Sequence, residues 1–287
     1  MRITLGISPA AGWTYPEVRE LAQGAEAAGF GTFWVADHFF GGDGIPDRDC
    51  LEAWTLLAAL ARETTTLRLG TLVTAHSYRN PALLAKQVAT VDHLSGGRVE
   101  VGLGAGWKVN EYLAYGYEFP PPGVRVAQLR DTLEICTRLW TEERATYTGR
   151  HYRIEDALAS PKPVQRPYPP ITIGGTKPRI MRVAARYADV FNLGRVGTPP
   201  QVPDRALLAA LMVQVAEACA AVGRERPLAI SHWAPVDRPD DAALDALASR
   251  AGELADAGVV EYQLMISRDD FRRTLERLAR SVLPAAA

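Results

Sequence analysis

The chain has 287 residues, 47% of them apolar and 23% charged, with a formal net charge of −1. That length can bury a sizeable core, and a near-neutral balance with mixed signs argues against a nucleic-acid partner, which a basic stripe would announce. No apolar run approaches the ~18 residues of a membrane span, and MRITLGISPA opens as a strand without signal-peptide organisation. The expectation is therefore a cytoplasmic protein, with Cys50, Cys136 and Cys219 as reduced packing residues and not a disulfide frame.

Short apolar runs alternate with helical patterns. Ile3 to Ile7 reads as a first strand, Tyr15 to Ala28 as a helix closed by Gly29, and Thr32 to Ala36 as a second strand. A helix over Leu51 to Arg62 precedes a third strand, Leu67 to Val73. Pro81 opens the next helix, where its missing N–H costs little. Val99 to Leu103 is the fourth strand; a Gly-rich, aromatic stretch follows, then a helix from Val124 to Trp140. Thr141 to Pro170 breaks the rhythm, and its PKPVQRPYPP reads as an irregular excursion. Strands at Ile171 to Ile173, Asp189 to Leu193, Leu228 to Trp233 and Val259 to Ile266 complete the series. Helices at Pro178 to Tyr187, Asp204 to Val222, Asp241 to Ala257 (capped by Asp240) and Asp270 to Leu283 lie between and after them.

Eight strand–helix units in one chain predict a (β/α)8 TIM barrel over residues 1–287, with an irregular insertion between strands four and five. The competing doubly wound sheet lacks its fingerprint: Gly6 is followed by ISPAAG, not by the GxGxxG of a dinucleotide site.

A barrel carries its site at the C-terminal ends of the strands. Polar residues gather there: Ser8; Asp37 and His38; Thr74 and His76; Gly104, Ala105, Gly106, Trp107, Asn110 and Glu111; Gly174, Gly175 and Thr176; Asn192 and Arg195; His232 and Trp233; Gln263. His38 is the sharpest, because an imidazole exchanges protons near neutrality. A metal site would need converging His, Asp, Glu or Cys ligands, yet no HExxH, HxxEH or HxH spacing occurs, so none is expected. Glu111 is the nearest acid, and reads either as part of the site or as a cap or structural pair. In ITIGGTKPR, exposed backbone N–H groups, a hydroxyl and a helix start read as a phosphate-type grip, with Lys177 and Arg179 adjacent, or as a plain strand-to-helix turn. The glycines of GLGAGW allow either close approach of a flat ring or a simple turn.

The stretches FWVADHF (33–39), LRLGTLVTAHSYRNPALLAKQVATVDHLSGGRVEVGLGAGWKVNEYLAYG (67–116), LWTEERATYTGRHYRI (139–154) and PKPVQRPYPPITIGGTKPRIMRVAARYADVFN (161–192) resemble the luciferase-like monooxygenase superfamily, and within it the F420-dependent oxidoreductases. The region after Thr198 is less diagnostic. The resemblance implies a TIM barrel, often dimeric, that binds F420 as hydride carrier or, in the monooxygenase branch, reduced FMN. A non-catalytic flavin-binding barrel is the further alternative. It implies Asp37 and His38 as the catalytic, cofactor-facing pair and a non-proline cis peptide between Leu72 and Val73, with Thr74 beside it. Gly104, Ala105, Gly106 and Asn110 would form the wall of the cofactor site, and Gly174, Gly175 and Thr176 its phosphate grip. Ser8, His76, Trp107, Asn192 and His232 are the expected substrate pocket. Where the sugar-phosphate dehydrogenases of the superfamily carry a catalytic glutamate, this chain has Trp107, which points away from sugar phosphates and toward an apolar or planar substrate.

Overall fold

The computed structural model describes residues 1–41, 48–194, 203–237 and 239–284. Arg195 lies outside them. Eleven strands occur among the described residues: β1 (Arg2–Ile7), β2 (Thr32–Val35), β3 (Arg68–Thr71), β4 (Thr74–Ala75), β5 (Val99–Gly104), β6 (Arg144–Thr148), β7 (Arg153–Leu158), β8 (Ile171–Gly175), β9 (Val190–Leu193), β10 (Ala229–Val236) and β11 (Glu261–Ile266). The α-helices are α1 (Tyr15–Ala28), α2 (Ala53–Glu63), α3 (Pro81–Ser95), α4 (Val109–Ala114), α5 (Pro122–Thr141), α6 (Pro178–Tyr187), α7 (Arg205–Ala221), α8 (Asp241–Asp256) and α9 (Phe271–Ser281).

The main sheet runs β3-β2-β1-β11-β10-β9-β8-β5-β4 and closes through a β3–β5 pairing. Its pairings are parallel. β3 and β4 are two pieces of one strand, so the sheet is a closed eight-stranded parallel barrel surrounded by helices. The third strand is interrupted where the sequence pattern read it as continuous to Val73. A cis peptide joins Leu72 to Val73 there. Gly102 lets β5 pass close by: a Cβ on it would stand 1.8 Å from the Thr71 carbonyl oxygen.

Helix ends follow local chemistry. Thr14 and Glu17 form a capping box at α1, with the Thr14 N–H donating to Glu17 Oε2 at 2.8 Å. Asp240 caps α8 through the Ala243 N–H at 2.8 Å.

The excursion after α5 is not irregular throughout. β6 and β7 pair as an antiparallel hairpin, and Asp131 on α5 anchors it by accepting from the Tyr147 hydroxyl (2.9 Å) and the His151 N–H (2.7 Å). Only the proline-rich part beyond it lacks strand or helix, with cis bonds at Ser160–Pro161 and Arg166–Pro167.

The N-terminal mouth of the barrel is filled by a polar network. Arg2 bridges Glu100 (3.2 Å) and Glu261 (2.7 Å), and Arg68 Nε donates to Glu100 at 2.6 Å. Thr4 and Trp34 both donate to Glu261 Oε1 at 2.9 Å. Burial and the neighbouring Glu100 raise the Glu261 carboxyl above the ordinary range. No helix among the described residues is long and apolar enough to cross a membrane.

Candidate active site

At the opposite, C-terminal mouth lies a cavity of about 1120 Å³. That lies at the upper end of the roughly 300–1,000 Å³ usual for small-molecule sites. Its walls include Ser8, Asp37, His38, Leu72, Val73, Gly104, Ala105, Gly106, Trp107, Gly174, Gly175, Thr176 and Asn192. Residues far apart in sequence thus converge because each follows a barrel strand.

Four expected residues stand elsewhere. Thr74 Oγ1 accepts from Trp54 Nε1 at 3.0 Å, which ties β4 to α2. Asn110 lies on α4 outside the lining, and its Oδ1 accepts the Glu111 N–H at 3.1 Å. His76 is fully buried outside the cavity; desolvation, helped by nearby Arg125, pushes its pKa down to about 3. His232 is also buried outside, its Nδ1 2.6 Å from the Leu193 carbonyl oxygen and its ring stacked on Tyr262. Strand alternation explains His232: β10 sends Trp233 and Pro235 to the cavity and His232 to the other side of the sheet. Of the HW pair, Trp233 reaches the cavity.

The glycine wall has a local purpose. A Cβ on Gly104 would meet Val73 Cγ2 at 2.7 Å, and one on Gly174 would lie 3.4 Å from Val73 Cγ1. These glycines first make room for the Val73 isopropyl group, which then forms part of the cavity surface. Gly106, at φ 76°, lies so close to Tyr112 that a Cβ would overlap the phenol oxygen at 1.9 Å.

Charge around the cavity is sorted. Arg125 arrives from the first turn of α5, and Lys177, Arg179 and Arg182 from the start of α6. Gly174, Gly175 and Thr176 lead into α6, which begins at Pro178 and offers its first helical N–H at Arg179. In the ring of strands, β8 stands four places from β1 in either direction, so this cationic side faces the β1 side, where Ser8, Ala11, Met265 and Ile266 supply small or apolar surface. Below, Asn192 Nδ2 donates to Ser231 Oγ (3.0 Å) and Gln263 Oε1 (2.5 Å), so this buried layer is cross-linked.

Asp37 is held by Arg79 through two hydrogen bonds of 2.5 and 3.1 Å, and Arg79 also binds Glu52. The carboxylate is thus committed to a bidentate pair. His38 is anchored on the other side: its Nδ1 lies 2.9 Å from Glu111 Oε2. Glu111 is completely buried within the aromatic group of Tyr78, Tyr112, Tyr117 and Phe39, and also receives Tyr78, Lys108, and the N–H groups of Phe39 and Phe40. Burial opposes its charge, but the His38, Lys108 and Tyr78 bonds prevail and hold its pKa down to about 2. Trp107, 72% exposed, meets the His38 ring edge-on at 5.7 Å. Glu111 is the residue sequence reasoning undervalued. Its signal was its place a few residues beyond a strand end. Among the described residues no group of three His, Cys, Asp or Glu side chains is placed to hold a metal ion.

A family model for the luciferase-like monooxygenases matches residues 3–281. The chain belongs to this family. A protein of Mycobacterium tuberculosis described as uncharacterized is 37% identical over 214 residues, covering 69% of this luciferase-like chain and 70% of the relative. An F420-dependent glucose-6-phosphate dehydrogenase of Amycolatopsis mediterranei is 34% identical over 177 residues, 60% of this chain but only 51% of the enzyme. A solved structure of an F420-dependent secondary alcohol dehydrogenase in complex with an F420-acetone adduct superposes with a TM-score of 0.83 at 21% identity, covering all of both chains. That last likeness is one of fold. The luciferase-like family groups F420- and flavin-dependent oxidoreductases and monooxygenases.

Proposed function

We propose that the protein is an F420-dependent oxidoreductase acting on an uncharged, apolar or planar organic substrate. The observation that carries this reading is the sorted cavity: a cationic side at the GGT turn for an anionic tail, and His38 with Trp107 beside apolar surface for the reacting part. The residues present fit the cofactor. Arg125, Lys177, Arg179 and Arg182 match the acidic tail of F420, the backbone of Gly174 to Thr176 its phosphate, and the Val73 surface its ring.

When bound, F420 supplies the hydride chemistry. The chain supplies the rest. His38 takes or gives the substrate's proton, and Trp107 offers an indole face against which a planar substrate stacks. Asp37, locked by Arg79, fixes the loop that carries His38. Among the described residues no cation lines the β1 side to receive a substrate phosphate, consistent with Trp107 standing where sugar-phosphate dehydrogenases of the superfamily place an acid. A homodimer is part of this proposal.

Titration of the purified protein with F420 and with FMN, followed by fluorescence, tests the reading. Saturable F420 binding that weakens when Lys177 and Arg179 are both replaced by Ala is the expected result. Tight FMN binding with no F420 binding would overturn it in favour of a reduced-FMN monooxygenase. Stoichiometric F420 binding with no redox turnover over a broad panel of alcohols, ketones and enones would favour a non-catalytic role.

A further inference from the structure

We infer that Glu111 is a positioning residue that sets the tautomer of His38: it holds the proton on Nδ1 and leaves Nε2 as the proton acceptor of the cavity. The catalytic half of this inference rests on the proposed function above; the tautomer itself does not.

Glu111 meets five donors. Oε1 accepts from the N–H groups of Phe39 (2.9 Å) and Phe40 (3.2 Å) and from Lys108 Nζ (2.8 Å). Oε2 receives the Tyr78 hydroxyl (2.7 Å) and lies 2.9 Å from His38 Nδ1. The backbone groups and the ammonium can only donate, and an ionised carboxylate can only accept. The surroundings therefore stabilise Glu111 as an anion, and its depressed pKa agrees. Nδ1 must then be the donor in this contact. In the neutral ring the proton on Nδ1 leaves Nε2 with a lone pair. Among the described residues Nε2 has no hydrogen-bond partner, and His38 lines the cavity.

The same contact pins the ring. Cys50 Sγ donates to the His38 carbonyl at 3.2 Å, and Phe39 and Phe40 are tied to Glu111, so the loop and the imidazole share one anchor. When a substrate O–H gives its proton to Nε2, the O–H bond breaks and an N–H bond forms. The resulting imidazolium sits against a carboxylate that already carries its charge. In the reverse direction the imidazolium returns that proton to the substrate oxygen. No other proton need move at Glu111.

Glu111→Gln separates this from a structural role. The two backbone N–H groups and Lys108 claim the amide oxygen, so the amide NH2 faces His38 and Tyr78. Nδ1 is then addressed by a donor, and the favoured neutral tautomer becomes Nε2–H. The experiment is 1H–15N long-range correlation NMR of the cofactor-free protein, with ring nitrogens labelled and the His38 signals identified by their loss in His38→Asn. The expected wild-type neutral form shows a protonated Nδ1 and an unprotonated Nε2, and Glu111→Gln exchanges or mixes the two. With F420 and a turned-over substrate, Glu111→Gln should lower kcat by roughly 10²- to 10⁴-fold, with KM and F420 affinity within about 3-fold. A wild-type spectrum with the neutral proton on Nε2 would overturn the inference, and it needs no variant to fold. So would an unchanged tautomer in folded Glu111→Gln. If the spectra behave as expected while His38→Asn keeps full turnover, the proposed function of His38 fails and the tautomer assignment stands.

Discussion

Glu111→Gln also carries a thermodynamic consequence that can be worked from the structure. The folded carboxyl titrates at about 2 against an ordinary 4.5. At 1.36 kcal/mol per pKa unit, that difference corresponds to about 3 kcal/mol of stability at neutral pH. The sign follows from the direction. The folded pKa is depressed, so the contribution is complete above the unfolded value near 4.5 and is lost as pH falls toward 2. It should fall to about 2 kcal/mol at pH 3.5 and keep shrinking below that. The amide is isosteric but uncharged, and leaves Lys108, only 7% exposed, without its counter-charge. Breaking a buried pair costs about 3–5 kcal/mol, and the amide's retained hydrogen bonds place the variant near the lower end. The assay is urea unfolding of wild type and variant at pH 7, 5, 4 and 3.5, extrapolated to water. A gap near 3 kcal/mol that narrows below pH 4.5 is the expected result. A gap that stays constant with pH, or one below about 1 kcal/mol at pH 7, would refute the reasoning that Glu111 is held ionised by its donors.

Other perturbations reach other parts of the molecule. Gly175→Asp brings a Cβ within 2.5 Å of Ile180 Cγ2 and a negative charge beside the cationic side, so F420 binding should be lost; calorimetric titration checks it, with circular dichroism as the control for folding. Thr176→Ala should weaken F420 binding by about 1–3 kcal/mol in the same titration, the range for a hydrogen bond to a charged group. Gly102→Ala places a methyl group 1.8 Å from the Thr71 carbonyl oxygen, where backbone must move, and should cost about 3 kcal/mol or more in urea unfolding. Light scattering at micromolar concentration should show a dimer; a monomer would remove that part of the proposal.

The barrel was legible because each strand is short, apolar and followed by a helix, and because polar residues accumulate where strands end. Pro178 and Tyr187 bound α6 as the pattern predicts. The misses have physical causes. In the hairpin only β6, RATYT, alternates exposed and covered residues; β7, RIEDAL, is broken by two adjacent exposed acids, so the pair carries a weak strand signal next to the prolines that follow. His232 drew attention as an imidazole, while strand parity assigns the cavity to Trp233. Thr74 lies beyond the Leu72–Val73 break, in a separate piece of strand turned to Trp54. Beside its near neighbour Lys108, the partners of Glu111 come from 33 to 73 residues away, and only folding brings them together.

The filled N-terminal mouth has a kinetic meaning. Arg2, Arg68, Glu100 and Glu261 close the barrel at that end, so the cavity is a blind pit with its opening at the other. Whatever occupies its depth must arrive before, and depart after, whatever lies above it. Two ligands sharing such a pit exchange in sequence, like a queue with one door. An excess of the outer ligand should then slow escape of the inner one, without any change in the contacts that hold it.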